Sequence, residues 1–179
     1  VTITPASAVI CNGGSVNLGV VGGLENLSGT SVFGNIDTIN ATTSYPAPFS
    51  QYYGGTKHQM IILASELTAK GIPAGASLNS LSFAIYAVGS TTTLKNFSMD
   101  IGSTTATSAS ATSFISGLTN VRAAANLTLP TTGLPVWLTQ TFSTPFVWNG
   151  TSNIVVQTSY SNNALGSSLD YVQTYMNTA

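Results

Sequence analysis

A chain of 179 residues, 43% of them hydrophobic, has enough apolar surface for one packed domain and a short appendage. Charged residues make up only 5%, with a net charge of −1, where an average globular protein has about 25%. The hydrophobic content excludes a disordered chain. Lys57, Lys70, Lys95 and Arg122 are too few and too scattered to form the basic face that nucleic acid or an anionic membrane requires.

The surface must therefore be covered by Ser, Thr, Asn, Gln and Gly. Such a near-neutral surface has little repulsion to keep copies apart. Taken from the start, Val1-Thr2-Ile3-Thr4 reads as a short strand limited by Pro5, and Ser15 to Val20 as a second, entered through the turn Asn12-Gly13-Gly14. Val1 begins inside a strand-like pattern with no signal peptide ahead of it, so a mature chain or a module of a longer one is expected. Cys11 is the single cysteine, so it has no partner for an internal disulfide. It reads as a small half-buried thiol, with pairing to another chain as the alternative.

Residues 22–43 are rich in Gly, Ser, Thr and Asn and read as a loose strand or two with long turns. The stretch SYPAPFSQYYGGTKHQM, Ser44 to Met60, concentrates Tyr45, Phe49, Tyr52 and Tyr53 and contains the only histidine, His58, at a strand entry. The aliphatic run Met60 to Ala64 is far too short to span a membrane. One short helix is predicted over Ala64 to Gly71, with Ser65 as cap, Glu66 in the first turn, Lys70 in the last and Gly71 as stop; Glu66 and Lys70 have the spacing of a weak helical pair.

Period-two alternation then dominates. Leu81, Phe83 and Ile85 alternate with Ser82, Ala84 and Tyr86, and Phe97, Met99 and Ile101 with Ser98 and Asp100. Leu127 and Leu129 flank Thr128, and Ile154, Val156, Thr158 and Tyr160 alternate with Val155, Gln157 and Ser159. Such strands bury one face and wet the other. Turn residues separate them at Val88-Gly89-Ser90, Thr132-Gly133 and Asn149-Gly150, while Ser103 to Ser113 reads as a surface loop or polar edge strand. Many short strands at this spacing predict an all-β antiparallel sandwich or barrel.

Little in the chain suggests catalysis. The acids Glu25, Asp37, Glu66, Asp100 and Asp170 form no local pair for glycoside hydrolysis. A nucleophilic triad has only His58 to draw on and no Gly-x-Ser-x-Gly elbow, so His58 is expected to be a structural, hydrogen-bonded residue. Gly54-Gly55-Thr56-Lys57 lacks the first glycine of a phosphate-binding loop, and no zinc site follows from Cys11 and His58 alone. No catalytic residue, metal or cofactor is expected. The aromatics Tyr45, Phe49, Tyr52 and Tyr53, with Trp137 or Trp148, are candidate platforms for stacking on sugar rings. Sequons stand at Asn26, Asn40, Asn96, Asn126 and Asn149, and Asp37-Thr38-Ile39 resembles a bacterial O-glycosylation acceptor at Thr38.

Two longer stretches resemble a known module. In SYPAPFSQYYGGTKHQMIILASELTAKGIPAGASLNSLSFAIY, the Tyr45-Pro46, Tyr52-Tyr53, Lys57-His58-Gln59, Glu66-Leu67 to Gly71 and Leu81 to Phe83 elements resemble a recurrent module of large bacterial surface proteins exported by the type IX pathway. LKNFSMDIGSTT and FSTPFVWNGTSNIVVQTSYSNN continue the likeness, with Asn149 where the module usually has an acid. The front end, TITPASAVICNGGSVNLGV, resembles the first two strands of the immunoglobulin-like repeats of such proteins. The resemblance implies a secreted, surface-associated, jelly-roll-like sandwich beside adhesin-like repeats, and it carries over no catalytic residue.

The expected organisation is an N-terminal strand segment, residues 1–23, and a sandwich module, 24–179, whose last strand is absent or belongs to a longer chain. The expected function is an extracellular structural or adhesive subunit. Its partners would be its own copies or neighbouring modules, with no nucleic acid and no membrane insertion. Strand addition between copies through Ile3, Val16 and Leu18 would build a filament. The alternative is a glycan-binding module.

Overall fold

The structure, a computed structural model, describes residues 2–4, 19–21, 29–33, 38–39, 48–49, 54–89, 91–110, 112–162 and 172–176. It divides into two compact units, Val1–Ser31 and Val32–Ala179. In the first unit β1 (Thr2–Thr4) pairs antiparallel with β2 (Gly19–Val21), Ile3 standing opposite Val20. The two N-terminal strands thus pair with each other within the chain.

The second unit is the expected antiparallel β-sandwich. Its strands are β3 (Thr38–Ile39), β4 (Gly55–Ile62), β5 (Ser77–Val88), β6 (Thr93–Thr104), β7 (Thr119–Thr128), β8 (Val136–Val147), β9 (Asn153–Ser161) and β10 (Val172–Met176). One sheet has the order β3-β10-β5-β8 and the other β4-β9-β6-β7. The chain passes from sheet to sheet at each step except β6 to β7, which form a hairpin, and this is the strand order of a jelly roll. Val172–Met176 fills the position between β3 and β5.

Alternation decides which face goes inside. Phe97, Met99 and Ile101 of β6 and Ile154, Val156 and Tyr160 of β9 point inward and are buried. Facing them are Ile85, fully buried, and the partly buried Leu81 and Phe83 of β5. Phe49 lies between the sheets. Its ring meets Phe83 edge-on at 5.0 Å and stacks on Phe97 at 5.5 Å. Burying a ring of this size stabilises the fold by about 1.5–3 kcal/mol. The sheets also meet along one side, where Ser143 Oγ of β8 donates to the Val121 carbonyl of β7 at 3.1 Å.

The predicted helix is α1, Ala64–Ala69, but its start differs in detail. The N-cap is Leu63, not Ser65, and Glu66 Oε2 accepts from the Leu63 N–H at 2.7 Å. Leu63 has no side-chain acceptor to offer the first turn. Asn153 of β9 supplies one from outside, its Oδ1 accepting from the Ala64 N–H at 2.8 Å. Gly71 follows the helix with φ of +74°, as its stop role requires.

The turn into β9 locks the base of the sandwich. Trp148 is 1% exposed, and its indole Nε1 donates to the Ser152 carbonyl at 2.8 Å. Its backbone exchanges hydrogen bonds with the 74–76 turn, Gly75 N–H to the Trp148 carbonyl and Trp148 N–H to the Ala76 carbonyl. Gly150 adopts φ of +86°, and a Cβ there would collide with Ala74. Gly150→Ala is therefore expected to destabilise the protein by about 2 kcal/mol or more through strain and overpacking. Urea denaturation measures this, and an unchanged midpoint would contradict the packing of this turn.

Candidate functional site

Three places on the sandwich hold chemistry. The first is the outward face of the β4-β9-β6-β7 sheet. Register sets Gln59 opposite Gln157, Gln157 opposite Asp100, and Asp100 opposite Asn120. Side chains directly opposite in a ladder share a face. Gln59 Nε2 donates to Gln157 Oε1 at 3.0 Å, and Gln157 Nε2 donates to Asp100 Oδ2 at 2.9 Å. Asn120 Nδ2 donates to Asp100 Oδ1 at 2.9 Å. One relay thus crosses all four strands and occupies both oxygens of the carboxylate.

Residues 105–110 and 112–118, which follow β6, are fastened to this face. Gln59 clasps Ile115 by both backbone groups, each at 2.8 Å, and Asn153 Nδ2 donates to the Ala106 carbonyl at 2.9 Å. Leu118 packs against Gly102, where a Cβ would stand 2.7 Å from Leu118 Cδ2. Lys57 sits over the Phe114 ring at 5.1 Å. The stretch Ser103 to Ser113, read as a surface loop or polar edge strand, ends β6 at Thr104 and continues over 105–110 as a mostly exposed loop held to β9 at Ala106; the strap is fastened further on, at Ile115.

The second place is His58, on the opposite face of β4. Its register row is Thr158 and then Met99, directed into the sandwich, with Tyr160 two residues along on the same face of β9. Asp100, one residue from Met99, faces the other way. His58 Nδ1 and Thr158 Oγ1 are both buried without a hydrogen-bond partner. The expectation of a hydrogen-bonded histidine is not met at Nδ1. Burial lowers the His58 pKa below its ordinary value of 6.5 and raises the phenol of Tyr160. Among the described residues no carboxylate stands in the register row of His58 to orient its imidazole.

The third place is the outward face of β5 and β8. Trp137 stands opposite Ala84, and Tyr86 follows two residues along β5 on the same side. Trp137 is 47% and Tyr86 41% exposed. The next row is Ser82 opposite Thr139, their hydroxyls hydrogen-bonded at 2.8 Å, and the row beyond is Ser80 opposite Thr141. Neither strand contains Asp, Glu, Lys, Arg or His.

The residues proposed for glycan stacking separate accordingly. Phe49 is 0% exposed between Phe83 and Phe97, and Trp148 is held in its turn. Neither has a free ring face, so both are withdrawn as platforms. Trp137 remains. Tyr45, Tyr52 and Tyr53 lie outside the described residues, as do Val16, Leu18 and Cys11. Ile3 lies in β1 and Thr38 in β3. Asn96 and Asn126 are exposed on β6 and β7, while Asn26 and Asn40 lie outside the described residues. Asn149 is engaged in its turn, its Oδ1 accepting from the Thr151 and Ser152 N–H groups and its Nδ2 donating to Ser152 Oγ. Sequence reasoning missed Tyr86, although its alternation with Ile85 placed it outward.

Among the described residues no group of three His, Cys, Asp or Glu side chains is placed to hold a metal ion, and no helix is long and apolar enough to cross a membrane. Comparison of the chain with protein-family models, curated proteins and solved structures finds no match.

The lowered His58 pKa has a sign that can be tested. Between the folded and the unfolded pKa the unfolded chain binds more protons, so stability is full above the ordinary histidine value and falls as pH drops below it. Urea midpoints are expected to decrease between about pH 7.5 and about pH 5, and His58→Leu to flatten that slope. An equal slope in the variant would place the effect elsewhere.

Proposed function

We propose that the chain is a non-catalytic, extracellular structural or adhesive module that works by presenting sheet faces. The observation that carries this reading is the separation of its reactive groups. Asp100 is bound by Gln157 and Asn120 on one face of the sheet, while His58 points into the sandwich from the other. Among the described residues, the outward face of β5 and β8 is uncharged and carries two exposed aromatic rings and rows of hydroxyls. The charge-poor surface and the resemblance to bacterial surface modules support an extracellular setting.

Beads coated with the protein are expected to adhere to polysaccharide, mucin or bacterial surfaces. Asp100→Asn and His58→Gln should leave that adhesion intact, although Asp100→Asn lowers stability by about 1–3 kcal/mol through its broken relay. Beads that adhere to nothing would overturn the reading. So would hydrolytic turnover that either substitution abolishes.

Assembly of copies by strand addition is a second reading. It rests on the β1–β2 pair, which makes a sheet of only two strands. Each of these strands has one paired edge among the described residues, and an unpaired edge is a template for another strand. Sedimentation of the full chain should then show oligomers that deletion of residues 1–31 removes. Oligomers that persist in the shortened chain, or a full chain that is monomeric, would exclude strand addition through this segment.

A further inference from the structure

We infer that the outward face of β5 and β8, centred on Trp137 and Tyr86, is a binding platform for a neutral glycan chain. The inference rests on the adhesive reading above and names its ligand class. Three observations narrow the occupant. The first is charge. Both strands lack any carboxylate, ammonium, guanidinium or imidazole group, so the face offers nothing to neutralise a sulfated or uronic polymer, a phosphate or an acidic peptide.

The second is ring placement. Trp137, 47% exposed, stands opposite the small Ala84, and Tyr86 lies diagonally across the strand pair. Rings on a sheet face suit the apolar C–H face of a pyranose. Same-face positions along a strand repeat at about 6.8 Å, so successive rows meet successive parts of one extended chain.

The third is the hydroxyl row. Ser82 and Thr139 bond to each other, and Ser80 and Thr141 continue the line away from the rings. Each hydroxyl has one donor and two acceptor sites, so the Ser82–Thr139 pair leaves acceptor capacity for a polyol. A protein partner in a stable complex would instead call for a larger apolar core, of the kind that total interfaces above about 1,200 Å² have. The rings and hydroxyls together match a ligand that is apolar on one side and polyhydroxylic at its edges.

The test uses the full chain in affinity electrophoresis and fluorescence titration with hydroxyethyl cellulose, xylan and dextran, with hyaluronan as the charged control. Trp148 is buried and Trp137 exposed, so a blue shift on binding reports Trp137. Retardation by at least one neutral polymer and none by hyaluronan is expected. Trp137→Ala and Tyr86→Ala should each weaken binding about tenfold. Ser82→Ala with Thr139→Val should weaken it about threefold. These side chains are at or near the surface, and circular dichroism checks that the variants fold. No retardation by any neutral polymer overturns the glycan assignment, as does binding that Trp137→Ala leaves unchanged. Bead adhesion separates the two levels. Adhesion lost in Trp137→Ala without glycan binding keeps the adhesive face and makes its occupant a protein or a second copy, which sedimentation distinguishes. Loss of adhesion in the unaltered protein overturns the functional reading itself.

Discussion

The relay through Gln157 is the interaction on which the second sheet depends. Its amide receives from Gln59 and gives to Asp100, and so joins three strands that are far apart in the sequence. A chain with five acids and four bases cannot cover its sheets with ion pairs. Neutral amides and hydroxyls do that work instead, as in the Ser98–Ser159 and Ser82–Thr139 pairs. A partly buried polar network stabilises only when its members are satisfied. Here Gln59 completes it by holding both backbone groups of Ile115, so the strap over the sheet belongs to the same network.

That arrangement also limits function. The carboxylate best placed on the sheet is held by two amides. The imidazole lies on the other side of the same strands. Alternation therefore keeps Asp100 and His58 apart more firmly than distance along the chain would. A one-residue slip of β4 would bring them to one face, but it would also turn Met60 and Ile62 outward, away from the core they pack against. The separation follows from the packing.

Alternating segments were the legible part of the fold. Phe97, Met99 and Ile101, and Ile154, Val156 and Tyr160, declared their buried faces because one side of each strand meets the core. β7 was barely legible, since Arg122-Ala123-Ala124-Ala125-Asn126 has no alternation; it forms at a sheet edge by pairing with β6, where most of its side chains are exposed. The helix was found but its cap was misplaced, because the acceptor for Ala64 comes from Asn153, eighty-nine residues away. The jelly-roll order was reached only through resemblance, as no local pattern says which strand neighbours which. The strap was invisible for a similar reason: Ile115 is held by Gln59, a partner fifty-six residues away.

The two tryptophans show how position decides a residue's role. Both sit near turns in neutral surroundings, and composition alone made them equal candidates for a binding surface. Trp148 ends β8 in a turn that folds back on residues 74–76, where its indole N–H finds the Ser152 carbonyl and its ring completes the core. Trp137 opens the same strand at a position whose parity is outward, between inward Val136 and Leu138. Burying Trp137 would require turning Leu138, Gln140 and the rest of that face into water. The ring is thus kept outside by the strand's packing. A large aromatic held exposed by its own strand, beside Ala84 and in line with a hydroxyl row, is a feature the core does not account for, and the proposed platform is built on it.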